Sequence, residues 1–184
     1  MTTSDIIIIG GGAAGLMAAV GAAREGSSVT VLEKMPRPGR KIMITGKGRC
    51  NFTNLKAWNE FSQHIHPKPN FLKPSFYNLS SEKMIDFLTE AGMESIVERG
   101  DRAFPVSHLA SDVVDALVRA AEESGAKIIC GKEVRGIRQE SETEPSFTLK
   151  CTDGSIYKCR KLIICTGGLS YPKTGSTGDG YRWA

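Results

Sequence analysis

The first thirty-four residues run strand, glycine turn, helix, strand, acid, and few folds accept that order. Ile6-Ile7-Ile8-Ile9 is an unbroken β-branched apolar run, the pattern of a parallel strand buried on both faces. It passes directly into Gly10-Gly11-Gly12-Ala13-Ala14-Gly15, a full G-x-G-x-x-G. Ala13 to Arg24 reads as an alanine-rich helix closed by Gly26 in a left-handed cap. A second strand, Ser28 to Leu32, leads to Glu33, eighteen positions after Gly15.

Each residue type in this unit answers a physical demand. Gly10 permits the tight turn out of the strand, and Gly15 lets helix and strand pack closely. Gly12 has no Cβ, so a pyrophosphate can approach the backbone. The helix N-terminus presents free N–H groups and partial positive charge to such an anion. Glu33 is placed to accept hydrogen bonds from ribose hydroxyls and would repel a 2′-phosphate. Dinucleotide binding is the expectation.

With 184 residues the chain can bury a sizeable core as one domain, two at most, and 40% hydrophobic with 24% charged residues is ordinary for a globular protein. No apolar stretch reaches the roughly 18 residues a membrane span needs, and the short polar start does not read as a signal peptide. Arg37, Arg40, Lys41, Lys47 and Arg49 fall within thirteen positions of a chain whose net charge is +4. No aromatic interleaving or recognition helix accompanies them, so a phosphate-bearing cofactor is expected there and nucleic acid is not. Five cysteines form no C-x-x-C pair. A disulfide framework is not expected, and a cytoplasmic location is.

After Glu33 comes a long Gly/Pro/basic stretch, Lys34 to Asn54, and a loop of that length in a compact domain is usually functional. Residues 55–79 read as irregular or short helical turns. Ser80 is the N-cap of a helix to Ala91 with Met84, Ile85 and Leu88 inward. Ser107 or Ser111 caps another, to Glu123, with Val113, Val114, Leu117 and Ala121 in one stripe. Lys127 to Cys130 is a strand. Val134–Gln139, Phe147–Cys151 and Ser155–Cys159 then read as an antiparallel meander, the last two joined at Thr152-Asp153-Gly154. Leu162 to Cys165 reads as a further buried parallel strand.

At this point the residues carry a resemblance. The glycine fingerprint, Glu33-Lys34, Gly39-Arg40-Lys41, the meander and Cys165-Thr166-Gly167-Gly168 together resemble the FAD-binding fold of two-dinucleotide-domain flavoproteins. GRKIMITGKGRCNFTN and CTGGLSYPKTGSTGDGY narrow it to the BaiN/YhiN-like NAD(P)/FAD-dependent oxidoreductases, and the likeness runs over essentially the whole chain. The fold class it implies is α/β. A Rossmann-like FAD-binding domain over residues 1–184 would have a parallel sheet, flanking helices and an antiparallel three-stranded β-meander.

The resemblance also implies site residues. Gly10, Gly12, Ala13, Ala14 and Gly15 would cradle the FAD pyrophosphate, with Glu33 on the adenosine ribose and Lys34 also at the cofactor. Arg40, Lys41 and the Gly48-Arg49-Cys50-Asn51 segment would line the flavin side. Val134 would offer its backbone to adenine, and Thr166 and Gly167 would approach the cofactor at their strand's carboxyl edge. NAD(P)H is the implied electron donor and a small organic molecule the acceptor. The family runs to about twice this length, with an inserted substrate domain and a closing segment expected beyond Ala184.

No catalytic acid or base is identified. Cys50 lacks a second thiol nearby, so a flavin–dithiol relay is not expected. His64 and His66 read as polar surface, not metal ligands. His108 reads as a residue of a helix cap, and Tyr171 is compatible with a structural role or with facing the flavin. Two other functions are compatible with the sequence: a non-catalytic nucleotide-binding module, and an RNA-modification flavoprotein.

Overall fold

The computed structural model describes residues 2–140 and 146–184. In chain order the elements are β1 (Thr2–Ile9), α1 (Ala13–Arg24), β2 (Val29–Glu33), α2 (Arg40–Met43), β3 (Thr53–Asn54), α3 (Trp58–Phe61), α4 (Lys73–Asn78) and α5 (Ser81–Glu90). They continue with β4 (Ser95–Glu98), β5 (Arg102–Pro105), α6 (Ala110–Glu123), β6 (Lys127–Cys130), β7 (Val134–Gln139), β8 (Phe147–Cys151), β9 (Ile156–Ile164) and α7 (Asp179–Trp183). Packing divides the chain into two compact units, residues 1–42 with 117–184, and residues 43–116.

The first unit is built on a six-stranded sheet of order β6-β2-β1-β9-β8-β7. β1 lies parallel to β2, with Ile6 opposite Val29 and Ile9 opposite Leu32, and parallel to β9 on its other side. β2 pairs in parallel with β6, while β7, β8 and β9 form an antiparallel meander. Ile7 and Ile8 are fully buried, as both faces of a central parallel strand require. Burying each such side chain contributes roughly 1.5–3 kcal/mol. One core joins the parallel and antiparallel parts: Ile7, Ile9 and Leu32 cluster with Val134, Leu149, Cys151, Tyr157 and Cys159.

One expectation is corrected here. Ser155–Cys159 and Leu162–Cys165 are not two strands but one, β9, which serves the meander through its first half and β1 along its whole length. Arg160-Lys161 resembles a break in the apolar pattern. Both side chains are exposed, yet the pairing with β1 keeps the same offset on either side, with Ser4 opposite Cys159, Ile6 opposite Lys161 and Ile7 opposite Leu162.

In the second unit β3, β5 and β4 make a small antiparallel sheet that no pattern in the sequence announces. Its strands are two to four residues long, and β4 is largely exposed, so no alternation betrays it. The β4–β5 turn uses Gly100 and Asp101 at positive φ. Ser80 caps α5 as expected, accepting the Lys83 N–H. The buried residues of that helix, however, include Phe87 with Leu88, while Met84 and Ile85 are only half-buried. Ahead of α6, Ser107 Oγ accepts the Leu109 N–H, whereas Ser111 lies inside the helix. Val113, Val114, Leu117 and Ala121 are buried as one stripe. Among the described residues, no helix is long and apolar enough to cross a membrane.

Candidate dinucleotide site

The glycine turn leaves β1 where Gly10 N–H donates to the Leu32 carbonyl at 2.8 Å. Gly10 has φ +104°, and a Cβ there would stand 2.4 Å from the Cys165 carbonyl oxygen. At Gly15 a Cβ would stand 1.8 Å from the Gly10 carbonyl oxygen. The protein's own packing therefore demands glycine at both positions. Gly12 is different. Its backbone is extended, at φ −81° and ψ −172°, and the space where a Cβ would stand is open to 4 Å. Neither conformation nor packing calls for glycine at that position, whereas an approaching ligand backbone would.

Gly12 is also the N-cap of α1. Among the described residues no side chain caps that helix, and its first turn holds no acid. The leading N–H groups of a helix have no intrahelical partner, and the helix dipole adds partial positive charge there. Turn and helix end together fit a diphosphate.

Glu33 closes the turn from the other side. Its Oε2 accepts the Gly11 N–H at 2.6 Å and its Oε1 accepts the Met35 N–H at 2.7 Å. A carboxylate has about four acceptor sites, so capacity remains for hydroxyl donors. Gly11 is held tightly, because a Cβ there would lie 3.2 Å from Glu33 Cβ and from Pro38 Cβ. The Glu33 carbonyl accepts the Lys132 N–H at 2.8 Å, and the Thr152 N–H donates to the Glu133 carbonyl at 2.9 Å. These bonds fix the start of β7, where Val134 is buried and a bulge separates it from Gly136.

Three more expected residues converge at the end of β9. Lys41 Nζ lies 3.3 Å from Ser170 Oγ and 3.8 Å from where a Gly167 Cβ would stand. Gly167 has φ +70°, and Thr166 Oγ1 accepts the Gly180 N–H at 3.1 Å. Arg40 begins α2 and is exposed. The Lys34 ammonium is engaged by the protein, donating to Thr177 Oγ1 and Asp179 Oδ2, each at 2.7 Å. Burial pushes the Asp179 carboxyl up. The Lys34 and Thr177 hydrogen bonds, with the charges of Lys34 and Arg182, outweigh that and hold it below the ordinary range. The sequence shows Asp179 only as a residue opening a helix; nothing in the pattern links it to Lys34, 145 positions away.

Gly48, Arg49, Cys50 and Asn51 belong to the second unit. Gly48 ends a left-handed turn with positive φ at Gly46, Lys47 and Gly48, and Cys50 has φ 56°. The Arg49 guanidinium lies 4.4 Å over the Phe104 ring, pairs with Glu98, and donates to His108 Nδ1 at 2.9 Å. Asn51 Nδ2 donates to the carbonyls of Thr53 and Ala103. Burial pushes the Cys50 thiol up, and a hydrogen bond from Thr45 offsets this only in part, so little reactive thiolate forms. Among the described residues no three His, Cys, Asp or Glu side chains converge to hold a metal.

A parallel sheet, a glycine turn at the end of its central strand and an acid closing the next strand define a Rossmann-type domain. The chain belongs to the HI0933-like protein family, whose Rossmann domain matches residues 4–184. This agrees with the BaiN/YhiN-like resemblance of its two long motifs. It is 34% identical over 182 residues to the ribosomal RNA dihydrouridine synthase of Haemophilus influenzae, covering 98% of this chain and 44% of that protein. It is 31% identical over 179 residues to the 3-dehydro-bile acid delta(4,6)-reductase of Clostridium scindens, covering 96% and 42%. Among solved structures, the 3-ketosteroid-delta4-(5alpha)-dehydrogenase of Rhodococcus jostii superposes with a TM-score of 0.66 at 17% identity. That match covers 92% of this chain and 47% of the other, and it shows likeness of fold alone. The chain spans less than half the length of the curated relatives it matches.

Proposed function

We propose that this protein binds FAD and serves an FAD-dependent oxidoreductase reaction, with NAD(P)H as electron donor and an organic molecule as acceptor. The observation that carries the reading is Gly12, a glycine that the protein's own packing does not require, placed at an uncapped helix N-terminus. In this reading Gly12 and the first turn of α1 hold the pyrophosphate. Glu33 holds the adenosine ribose and the backbone at Val134 meets adenine. Arg40, Lys41, Thr166 and Gly167 serve the flavin half. When bound, FAD supplies two-electron chemistry, taking a hydride from the nicotinamide and passing it to the acceptor. The cations at Arg40 and Lys41 would favour negative charge on the reduced cofactor.

The relatives' names support an acceptor class. A dihydrouridine synthase and a delta(4,6)-reductase both add hydrogen across a carbon–carbon double bond. A second reading therefore has one specific support: the relative at 34% identity is named for ribosomal RNA, and the acceptor would then be a uridine base in RNA.

The test is a visible absorption spectrum of the purified protein before and after anaerobic addition of NADH or NADPH. The ligand released by denaturation is then identified by mass. The expected outcome is FAD that bleaches with one of the nicotinamides. Recovery of NAD without flavin overturns the reading.

A further inference from the structure

Charge along this chain is strongly segregated. Residues 34–81 carry nine Lys and Arg against the single carboxylate of Glu60, while the remaining 136 residues carry fifteen against nineteen. The basic segment contains two kinds of surface. Its first part is the loop discussed above, which has no exposed aromatic ring. Its last part, residues 61–81, lies in the second unit and contains no acid at all, with Lys68, Lys73, His64 and His66 exposed.

This second part also displays aromatic rings to solvent. Phe71 is 82% exposed and Tyr77 is 56% exposed, in a segment that includes exposed Leu72 and Leu79. Tyr77 stands on a built platform. Tyr77 meets Phe76 edge-on at 5.4 Å and tilts against Trp58 at 6.3 Å. Trp58 and Phe61 each contact Phe76 at 5.2 Å, and Trp58 is itself buried. Pro67, Pro69 and Pro74 stiffen the backbone around the two lysines, which lowers the entropy lost when a ligand is held.

We infer that residues 61–79 form a docking surface for single-stranded RNA, with bases stacking on Phe71 and Tyr77 and phosphates meeting Lys68 and Lys73. Exposed rings beside cations are how proteins hold unpaired nucleic acid without reading its sequence. The absence of carboxylates from Phe61 to Ser81 removes the repulsion that a polyanion meets elsewhere on this chain. A lipid surface fits less well. Interfacial binding uses a long amphipathic helix, and the segment here is a 3₁₀ turn, Pro69–Leu72, followed by the six-residue α4, with no buried residue in either. The inference rests on the RNA reading above and departs from the sequence-based expectation of no nucleic-acid partner.

The experiment measures binding of the 184-residue protein to a fluorescein-labelled, uridine-rich single-stranded RNA by anisotropy over a salt series. Phe71→Ala and Tyr77→Leu are each expected to weaken binding by about five- to hundredfold. The Lys68→Gln/Lys73→Gln pair is expected to flatten the slope of log affinity against log salt by about 1.4. Ultraviolet crosslinks should map within residues 61–81. Wild-type affinity and slope in all these variants, crosslinks elsewhere, or binding of phosphatidylserine vesicles in place of RNA would overturn the inference. Phe71 is exposed enough that its variant keeps the test decisive even if Tyr77→Leu unfolds. Flavin content is recorded for every variant. Wild-type RNA binding in the variants with full flavin defeats only this surface, and absent flavin with RNA binding lost only in the variants defeats only the FAD reading.

Discussion

At the scale of single residues, the glycines of the turn separate into two kinds. Gly10 and Gly15 answer to the protein, since a Cβ at either would strike a backbone oxygen. Gly12 has open space around it and an ordinary extended backbone. Gly12→Val is therefore expected to leave the fold intact and to remove bound cofactor, because the side chain would occupy the ligand's approach. Circular dichroism with flavin content checks both halves, and a folded variant with full flavin would contradict the placement. Glu33 combines two tasks. It pins Gly11 and Met35 through their N–H groups, and in the proposed reading it also holds the ribose. Glu33→Ala is expected to weaken FAD binding by about 1–3 kcal/mol and to lower the melting temperature of the ligand-free protein. Titration calorimetry and thermal unfolding measure the two effects separately.

At the scale of elements, the exit of β2 is tied to the start of α7. Lys34, Thr177, Asp179 and Arg182 form one polar cluster, with the Asp179 side chain only 11% exposed. The folded-state pKa of Asp179 lies below its ordinary 3.8. Its stabilising contribution is then present above that ordinary value and is lost as pH falls through the folded value. Asp179→Asn should cost about 1–3 kcal/mol at neutral pH, where its hydrogen bonds come from charged partners. The difference from wild type should narrow as pH falls below about 4. Urea unfolding at several pH values is the measurement, and a pH-independent gap would place the effect in shape rather than charge.

At the scale of the molecule, one core runs through both the parallel strands and the meander of the first unit. Leu149 of β8 is fully buried in it. Leu149→Ala should destabilise by about 2–5 kcal/mol, the transfer loss plus a cavity. The two tryptophans allow this to be followed in each unit. Trp183 packs against that core, and Trp58 sits in the second unit. In a Trp58→Phe background the Trp183 fluorescence transition should move to lower denaturant. An unmoved midpoint would show that β8 does not share a cooperative unit with α7.

The amino-acid sequence by itself determined the β1–α1–β2 unit, the caps at Ser80, Gly26, Gly92 and Gly125, and the meander hairpin. Each is written in residues within a few positions of one another, as runs of apolar side chains or as glycines with positive φ. The family was legible for the same reason, since its motifs are continuous. The candidate site was legible in part: the glycine turn and Glu33 stand out by spacing. Other features depend on distant partners. The merging of two apparent strands into β9 was decided by β1, which pairs with it at one constant offset on both sides of Arg160. The hold of Asp179 on Lys34, the hydrogen bond from Gly11 to Glu33, and the seat of Arg49 on Phe104 join residues 22 to 145 positions apart. No local pattern encodes such pairs, because only the folded backbone brings them within hydrogen-bond reach.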